Sequence, residues 1–300
     1  MIAVARNSQA RRSSPHAAVR QVRDHGGFAL IAVLWLVASL SVLVTGIMLT
    51  VKSELKVASF ARQTVEAKAV AEGAMQVALQ SMVASGKRPE KLIEAPVPYA
   101  GRDVMVRMTP MNGYININRA PVELLQALFK IGGGMDDGSA GNLANAILAI
   151  RTTPGPSGRP ISFEAPEDLM RLPGMDYAVY ARIAPLVTTD SGGSGQVNVQ
   201  AAPPNVLNIV AGGNAGAVAS FVQARSGDNV GADTSGMNGA WLAGPTSTKS
   251  VEMSARVPLP DGGAITVVRR YLITNSSPDG LPWRVFYADS RVEQAPSPNS

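Results

Sequence analysis

The sequence predicts an α+β protein with a long N-terminal transmembrane helix, an antiparallel sheet and an inserted all-α segment. Three observations carry this. Residues 28–51 hold no charged side chain, and a helix of that length spans roughly 36 Å, enough for the ~30 Å hydrocarbon core of a bilayer. The stretches Val251–Val257, Ala264–Ile273 and Trp283–Asp289 are alternating or rich in β-branched residues, and Pro-Asp-Gly turns separate them, which reads as a meander. Residues 111–195 show no strand pattern beyond a short start and break into helix-length pieces at Gly and Pro.

Residues 1–27 are polar and carry Arg6, Arg11, Arg12, Arg20 and Arg23 against one acid, Asp24. That excess of Arg keeps the N-terminus in the cytoplasm and places everything after Lys52 across the membrane. The formal net charge of +5 comes mostly from this leader, so the remainder is near neutral, a poor match to a nucleic-acid binder. Residues 52–84 lack Pro and are rich in Ala, Lys, Glu and Gln. Val57, Phe60, Thr64, Ala67, Ala71, Ala74, Ala78 and Met82 recur every three or four residues on one face. One helix is therefore expected over about 28–84, stopped by Ser85-Gly86 and Pro89. Its Ala-rich face is expected to pack on the globular part and also to receive partner subunits.

Residues 99–109 read as one strand with Val104, Val106 and Met108 inward. An internal repeat follows. Ile115-Asn116-Ile117-Asn118-Arg119-Ala120-Pro121 returns as Val197-Asn198-Val199-Gln200-Ala201-Ala202-Pro203, with Asn116, Ala120 and Pro121 matched by Asn198, Ala202 and Pro203. The reading is a short strand, a polar turn, and Pro at the first helical position, where its missing N–H costs nothing. The Asn side chains are read as structural corners bonded to backbone groups. Helices are expected over Glu123–Ile131, Ala140–Arg151, a segment beginning at Ser162, Asp176–Ile183 and Ala217–Arg225, with a Ser/Gly link at 190–195.

No catalytic set is present. Both histidines, His16 and His25, lie in the leader, and there is no cysteine, which excludes triads, thiolate nucleophiles, disulfides and His- or Cys-bound metals from the rest. Gly132-Gly133-Gly134 is followed by Asp136-Asp137, which would repel a phosphate. Asp136, Asp137, Asp228 and Asp233 sit in Gly-rich stretches without EF-hand spacing and read as solvated acids. Leu172-Pro173-Gly174 resembles the hairpin of helix-hairpin-helix domains. Asp176 stands where a DNA-binding version needs bare backbone N–H groups, so nucleic acid is not an expected partner.

A basic leader ending in Gly27, then Phe28, then an unbroken apolar helix, resembles the class III signal of type IV pilin-like proteins. The resemblance implies cleavage by prepilin peptidase after Gly27 and methylation of Phe28. Most pilins carry Glu at the fifth mature position, where this chain has Ala32. A subunit with no neighbour above it has no ammonium for that carboxylate to pair with, so Ala32 suits a filament tip. Taken with the two repeats, the Leu-Pro-Gly hairpin and the chain length, the whole is similar to the type II secretion minor pseudopilin K family. Membership would imply a pilin-like sheet interrupted by a helix-hairpin-helix or SAM-like all-α domain. It would also imply a complex with minor pseudopilins I and J, contact with other pseudopilins and the inner-membrane secretion platform, and calcium binding through ligands the resemblance does not place. The expected location is the inner membrane, single-pass, with a periplasmic globular part. A membrane-anchored DNA-uptake protein and a minor pilin of a type IV pilus remain alternatives. The expected divisions are the leader 1–27, the membrane helix 28–51, a helix extension and first strand 52–110, the helical insert 111–195, the second repeat and meander 196–293, and a tail 294–300.

Overall fold

The structure, a computed structural model, describes residues 26–155, 158–190, 192–226, 232–274 and 280–293, with side-chain surroundings for all of these except 26–29 and 49–50. Leader residues 1–25, the tail 294–300, Asp228 and positions 277–279 of the second meander turn lie outside it. The helices are α1 (Gly26–Ser85), α2 (Val122–Ala127), α3 (Asp137–Thr152), α4 (Tyr177–Ile183), α5 (Pro204–Val210) and α6 (Ala215–Ser226). The strands are β1 (Ile93–Tyr99), β2 (Arg102–Pro110), β3 (Ile115–Asn116), β4 (Val187–Thr188), β5 (Val197–Asn198), β6 (Leu242–Ala243), β7 (Ser250–Pro258), β8 (Ala264–Ile273) and β9 (Trp283–Glu293). The class is α+β, as expected.

The chain divides into two compact units, one ending at Phe60 and the other beginning at Ala61. In the first, α1 exposes Leu30, Leu34, Trp35, Leu36, Leu40, Val42 and Leu43 all round. This is the one helix among the described residues long and apolar enough to cross a bilayer. Two of its hydroxyl groups bond internally: Ser41 Oγ donates to the Val37 carbonyl and Thr45 Oγ1 to the Ser41 carbonyl, both at 2.8 Å. Hydrocarbon offers such groups no other partner.

In the second unit, α1 buries Ala67, Ala71, Ala74, Met75, Ala78, Leu79 and Met82 against the sheet. This is the expected Ala-rich face, and its small side chains admit the inward-facing Val, Met and Ile of the strands. The expectation that partners pack along this face is corrected between Ala67 and Met82, because the chain's own sheet fills it. The sheet runs β1-β2-β7-β8-β9, antiparallel throughout. Val104 and Val106 of β2, Met253 and Val257 of β7, and Val267 and Tyr271 of β8 lie in the shared core.

Residues 99–109 are not one strand. Tyr99 closes β1 and pairs with Arg102, the first residue of β2. Between them Ala100 at φ 50° and Gly101 at φ 75° form the positive-φ pair that a two-residue hairpin of type I′ demands. β1 has the sequence Ile-Glu-Ala-Pro-Val-Pro-Tyr. Its prolines are tolerated because β1 is a sheet edge, where a missing N–H on the outer side breaks no ladder.

The segment between β2 and β7 forms a second core around Leu124, Leu125, Leu128, Phe129, Leu143 and Ile147. The second repeat was expected with the C-terminal sheet. Its Val206, Leu207, Ile209 and Val210 pack into this same helical core, as do Phe221 and Met237. α2 continues into a wide π-type turn, Leu128–Gly132. Asp136 caps α3, its carboxylate accepting from the Ser139 N–H at 2.9 Å. Two parallel pairs too short to read from sequence, β3 with β4 and β5 with β6, tie each repeat to a distant segment.

Candidate functional site

The residues singled out in the sequence fall in three places. Gly27 and Phe28 lie in the first turn of α1, and Ala32 is exposed on the apolar unit. The repeat residues form two corners in the helical lobe. Leu172 is buried in the helical core, while Pro173 and Gly174 are exposed beside it.

The two corners are built alike. The Asn116 side-chain oxygen accepts from the Asn118 N–H at 2.9 Å, and the Asn198 oxygen accepts from the Gln200 N–H at 3.1 Å. Each amide then donates to a remote carbonyl: Asn116 to Asp190 at 2.6 Å, Asn198 to Glu90 at 2.7 Å. The Asn carbonyls accept from Ala120 and Ala202 N–H, which closes the turn. Both Asn side chains are buried, and these bonds satisfy them. Pro121 and Pro203 occupy the N-cap position, not the first helical position as expected. Their carbonyls take the first helical N–H groups, from Leu124 and Leu125 and from Val206 and Leu207. Asn118 departs from its counterpart Gln200: its side chain makes a two-way bond with the backbone of Phe163, at 2.9 and 2.8 Å.

Sequence reasoning missed two arginines that complete the corners. Arg151 at the end of α3 donates to the Ala120 carbonyl at 2.7 Å, and Arg225 at the end of α6 donates to the Ala202 carbonyl at 2.7 Å. Arg225 also reaches the Val199 carbonyl at 3.0 Å. Burial pulls both guanidinium pKa values down, and for Arg225 nearby Arg107 adds to the effect while Glu94 offsets it.

Two glycines, also missed, bring the corners together. Gly113 lies three residues before Asn116, and Gly195 three before Asn198. A Cβ on Gly113 would stand 2.6 Å from the Ala201 carbonyl carbon in the other corner. A Cβ on Gly195, at φ 90°, would overlap the Arg119 carbonyl in the first corner. Each repeat thus leans its glycine on the turn of the other. The signal was present as Gly-x-Ile/Val-Asn in both copies.

Where the helical lobe meets the sheet, one charged cluster is buried. Tyr114 Oη donates to Glu252 Oε1 at 2.7 Å and Arg270 Nε to Glu252 Oε2 at 2.9 Å. Burial first, then the neighbouring Glu252, pushes the Tyr114 hydroxyl pKa well up, partly offset by Arg270. The hairpin ends in Asp176, which caps α4 by accepting from the Val179 N–H at 2.7 Å. A phosphate approaching that helix start meets a carboxylate already bonded there.

Among the described residues no three acidic or histidine side chains converge as metal ligands. Asp136 and Asp233 spend their carboxylates on Ser139 and Ser235, and Asp137 on Lys130.

The fold and these places define a class: an α+β protein with, among the described residues, one apolar helix of membrane-spanning length, a five-stranded antiparallel sheet, and a duplicated helical corner inserted in it. No family model matches the chain, and no curated protein matches it. Among solved structures, a chain of the GspK-GspI-GspJ complex from the type 2 secretion system of enterotoxigenic Escherichia coli is similar. The TM-score is 0.43 at 14% sequence identity, covering 79% of this chain and 99% of that chain.

Proposed function

We propose that this chain is a minor pseudopilin at the tip of a type II secretion pseudopilus, a structural subunit in protein export across the outer membrane and not an enzyme. One observation carries the reading. A basic segment ends at Gly27, and the uncharged run from Phe28 to Val51 belongs to one helix that reaches Ser85. A cleavable secretory signal ends its apolar run at a small-residue site, whereas this junction lies before the apolar run and leaves the helix in the mature chain. On this reading prepilin peptidase cuts after Gly27, Phe28 becomes the methylated N-terminus, and the helix anchors the protein in the inner membrane with residues after Lys52 in the periplasm. Minor pseudopilins I and J, the other pseudopilins and the secretion platform are its partners. Ala32 supports the tip position, because a subunit there needs no carboxylate for a neighbour above.

Intact-mass and N-terminal peptide spectrometry of the protein from a host with active prepilin peptidase tests this. The expected product begins at methylated Phe28, and Gly27→Leu retains the leader. A mature protein that keeps residues 1–27 would overturn the reading.

A further inference from the structure

In the second unit, α1, β1 and the loop joining them border an apolar groove of about 1010 Å³. Its floor is a ridge of α1, Val77, Ser81 and Ser85 one turn apart, with Ala78 and Met82 beside them. β1 supplies one wall through Ile93, Ala95 and Val97. Val77 is 41% exposed, so the ridge is open along this side.

The rim is basic. Lys87, Arg88, Lys91 and Arg225 line the groove against a single acid, Glu90. Arg225 is committed to backbone carbonyls, and the nearby Glu94 is paired with Arg107. Neither Lys87 nor Arg88 has an acid partner among the described residues. An occupant that neutralises this rim is acidic.

The backbone chemistry of the walls decides its form. Pro96 and Pro98 stand two apart on the edge strand and offer no N–H to an incoming strand, so strand addition at β1 fails for want of donors. An extended peptide laid on the apolar floor would leave its own N–H and C=O groups unpaired, at about 1–3 kcal/mol each. A helix carries its backbone bonds internally and sets its side-chain ridge against the α1 ridge. Met108, only partly buried, adds a side chain that adapts to a partner's shape.

We infer that the groove seats an amphipathic helix of another chain, with an apolar stripe against Val77, Ser81 and Ile93 and acidic residues along the flank that faces Lys87 and Arg88. The inference stands whether or not the chain works in a pseudopilus.

The test uses the full chain in zwitterionic lipid nanodiscs, with empty nanodiscs as blank. The probe is a fluorescein-labelled helical peptide of about 16 residues, with one Leu stripe and Glu flanks. One control replaces Glu by Lys, and a second inserts two central prolines to break the helix. The acidic helix is expected to bind saturably by anisotropy, about tenfold more tightly than either control, and to weaken as salt rises from about 50 to about 300 mM. Lys87→Glu combined with Arg88→Glu is expected to weaken it by about tenfold, with the melting temperature unchanged because both side chains lie on the loop. The chain has no cysteine, so Ser81→Cys carries a single environment-sensitive dye. Its emission is expected to shift with the acidic helix, while a dye at Gly239→Cys, away from the groove, stays constant. Equal binding of the Lys or proline controls, indifference to the charge reversal, or no saturable binding of the acidic helix below about 1 mM would overturn the inference.

Discussion

Arg270 is held between two tyrosine rings, its guanidinium carbon 5.5 Å from the Tyr114 centroid and 4.8 Å from the Tyr287 centroid. Its Nε meanwhile donates to Glu252 at 2.9 Å. Tyr114 comes from the helical lobe, and the other three from β7, β8 and β9. This is the polar joint between lobe and sheet. Its guanidinium is flat enough to stack on rings and bond a carboxylate together, which a Lys ammonium cannot do. Arg270→Leu leaves Glu252 buried without its cation and is expected to cost about 3–5 kcal/mol in urea unfolding of the full chain in detergent. Tyr114→Phe removes one bond and is expected to cost about 1 kcal/mol. A loss below ~1 kcal/mol for Arg270→Leu would show that water screens the joint.

The reciprocal glycines give a second test. Gly113→Ala drives a methyl into the backbone of Ala201 and Ala202, which cannot rotate aside. The expected loss is about 3 kcal/mol or more. Gly195→Ala adds strain at φ 90° to the same overlap and should cost at least as much. Gly239→Ala, with nothing within 4 Å, is the control, expected to change stability by less than about 0.5 kcal/mol.

Ala100 is the one non-glycine residue at positive φ among those described. Left-handed backbone costs an alanine roughly 1–2 kcal/mol, and Asn tolerates it better. Ala100→Asn is therefore expected to stabilise the chain by about 1 kcal/mol. No gain in the urea midpoint would count against the I′ geometry.

Asp136, Asp233 and Glu293 have folded pKa values below their ordinary ones, chiefly through bonds from Ser139, Ser235 and Thr266 respectively. Depressed carboxylate pKa values favour folding at neutral pH. That contribution fades as pH falls below the ordinary values of 3.8 for Asp and 4.5 for Glu and through the lower folded ones. The melting temperature should therefore decline on acidification through this window. Asp136→Asn keeps a good cap without the titrating group, so its decline should be shallower than that of the natural chain. Identical acid profiles would refute the assignment.

The tip reading predicts that Ala32→Glu never improves incorporation into filaments, since no ammonium lies above to receive the carboxylate. Immunogold labelling of isolated filaments is expected to show one label at an end. Regular labelling along the shaft would refute it.

Much of this was legible, and the gaps have physical causes. The long helix was readable because an uncharged run and a three-to-four-residue stripe are local patterns. β1 was not, since Pro96 and Pro98 argue against a strand until one knows it is a sheet edge. The hairpin at Ala100-Gly101 was missed because alanine is a rare choice at positive φ. The repeats were visible by eye, yet their assembly into one core depends on Val206, Leu207 and Ile209 meeting Leu124 and Leu128, a contact between distant segments. Arg151 and Arg225 each read as an ordinary cation ending a helix, and their carbonyl targets exist only in the folded corner.

The order of strands carries one more consequence. β2 ends at Pro110, and its neighbour β7 begins at Ser250, so the whole helical lobe lies between two strands that pair directly. An unfolded chain would have to close that long loop before the middle of the sheet could zip, which is slow. Once folded, the lobe brings Pro110 beside Val251 and turns a distant encounter into a near one. It therefore works as a splint for the sheet's kinetics. A lesion at Gly113, outside every strand of that sheet, would delay its pairing without altering a single residue that it pairs.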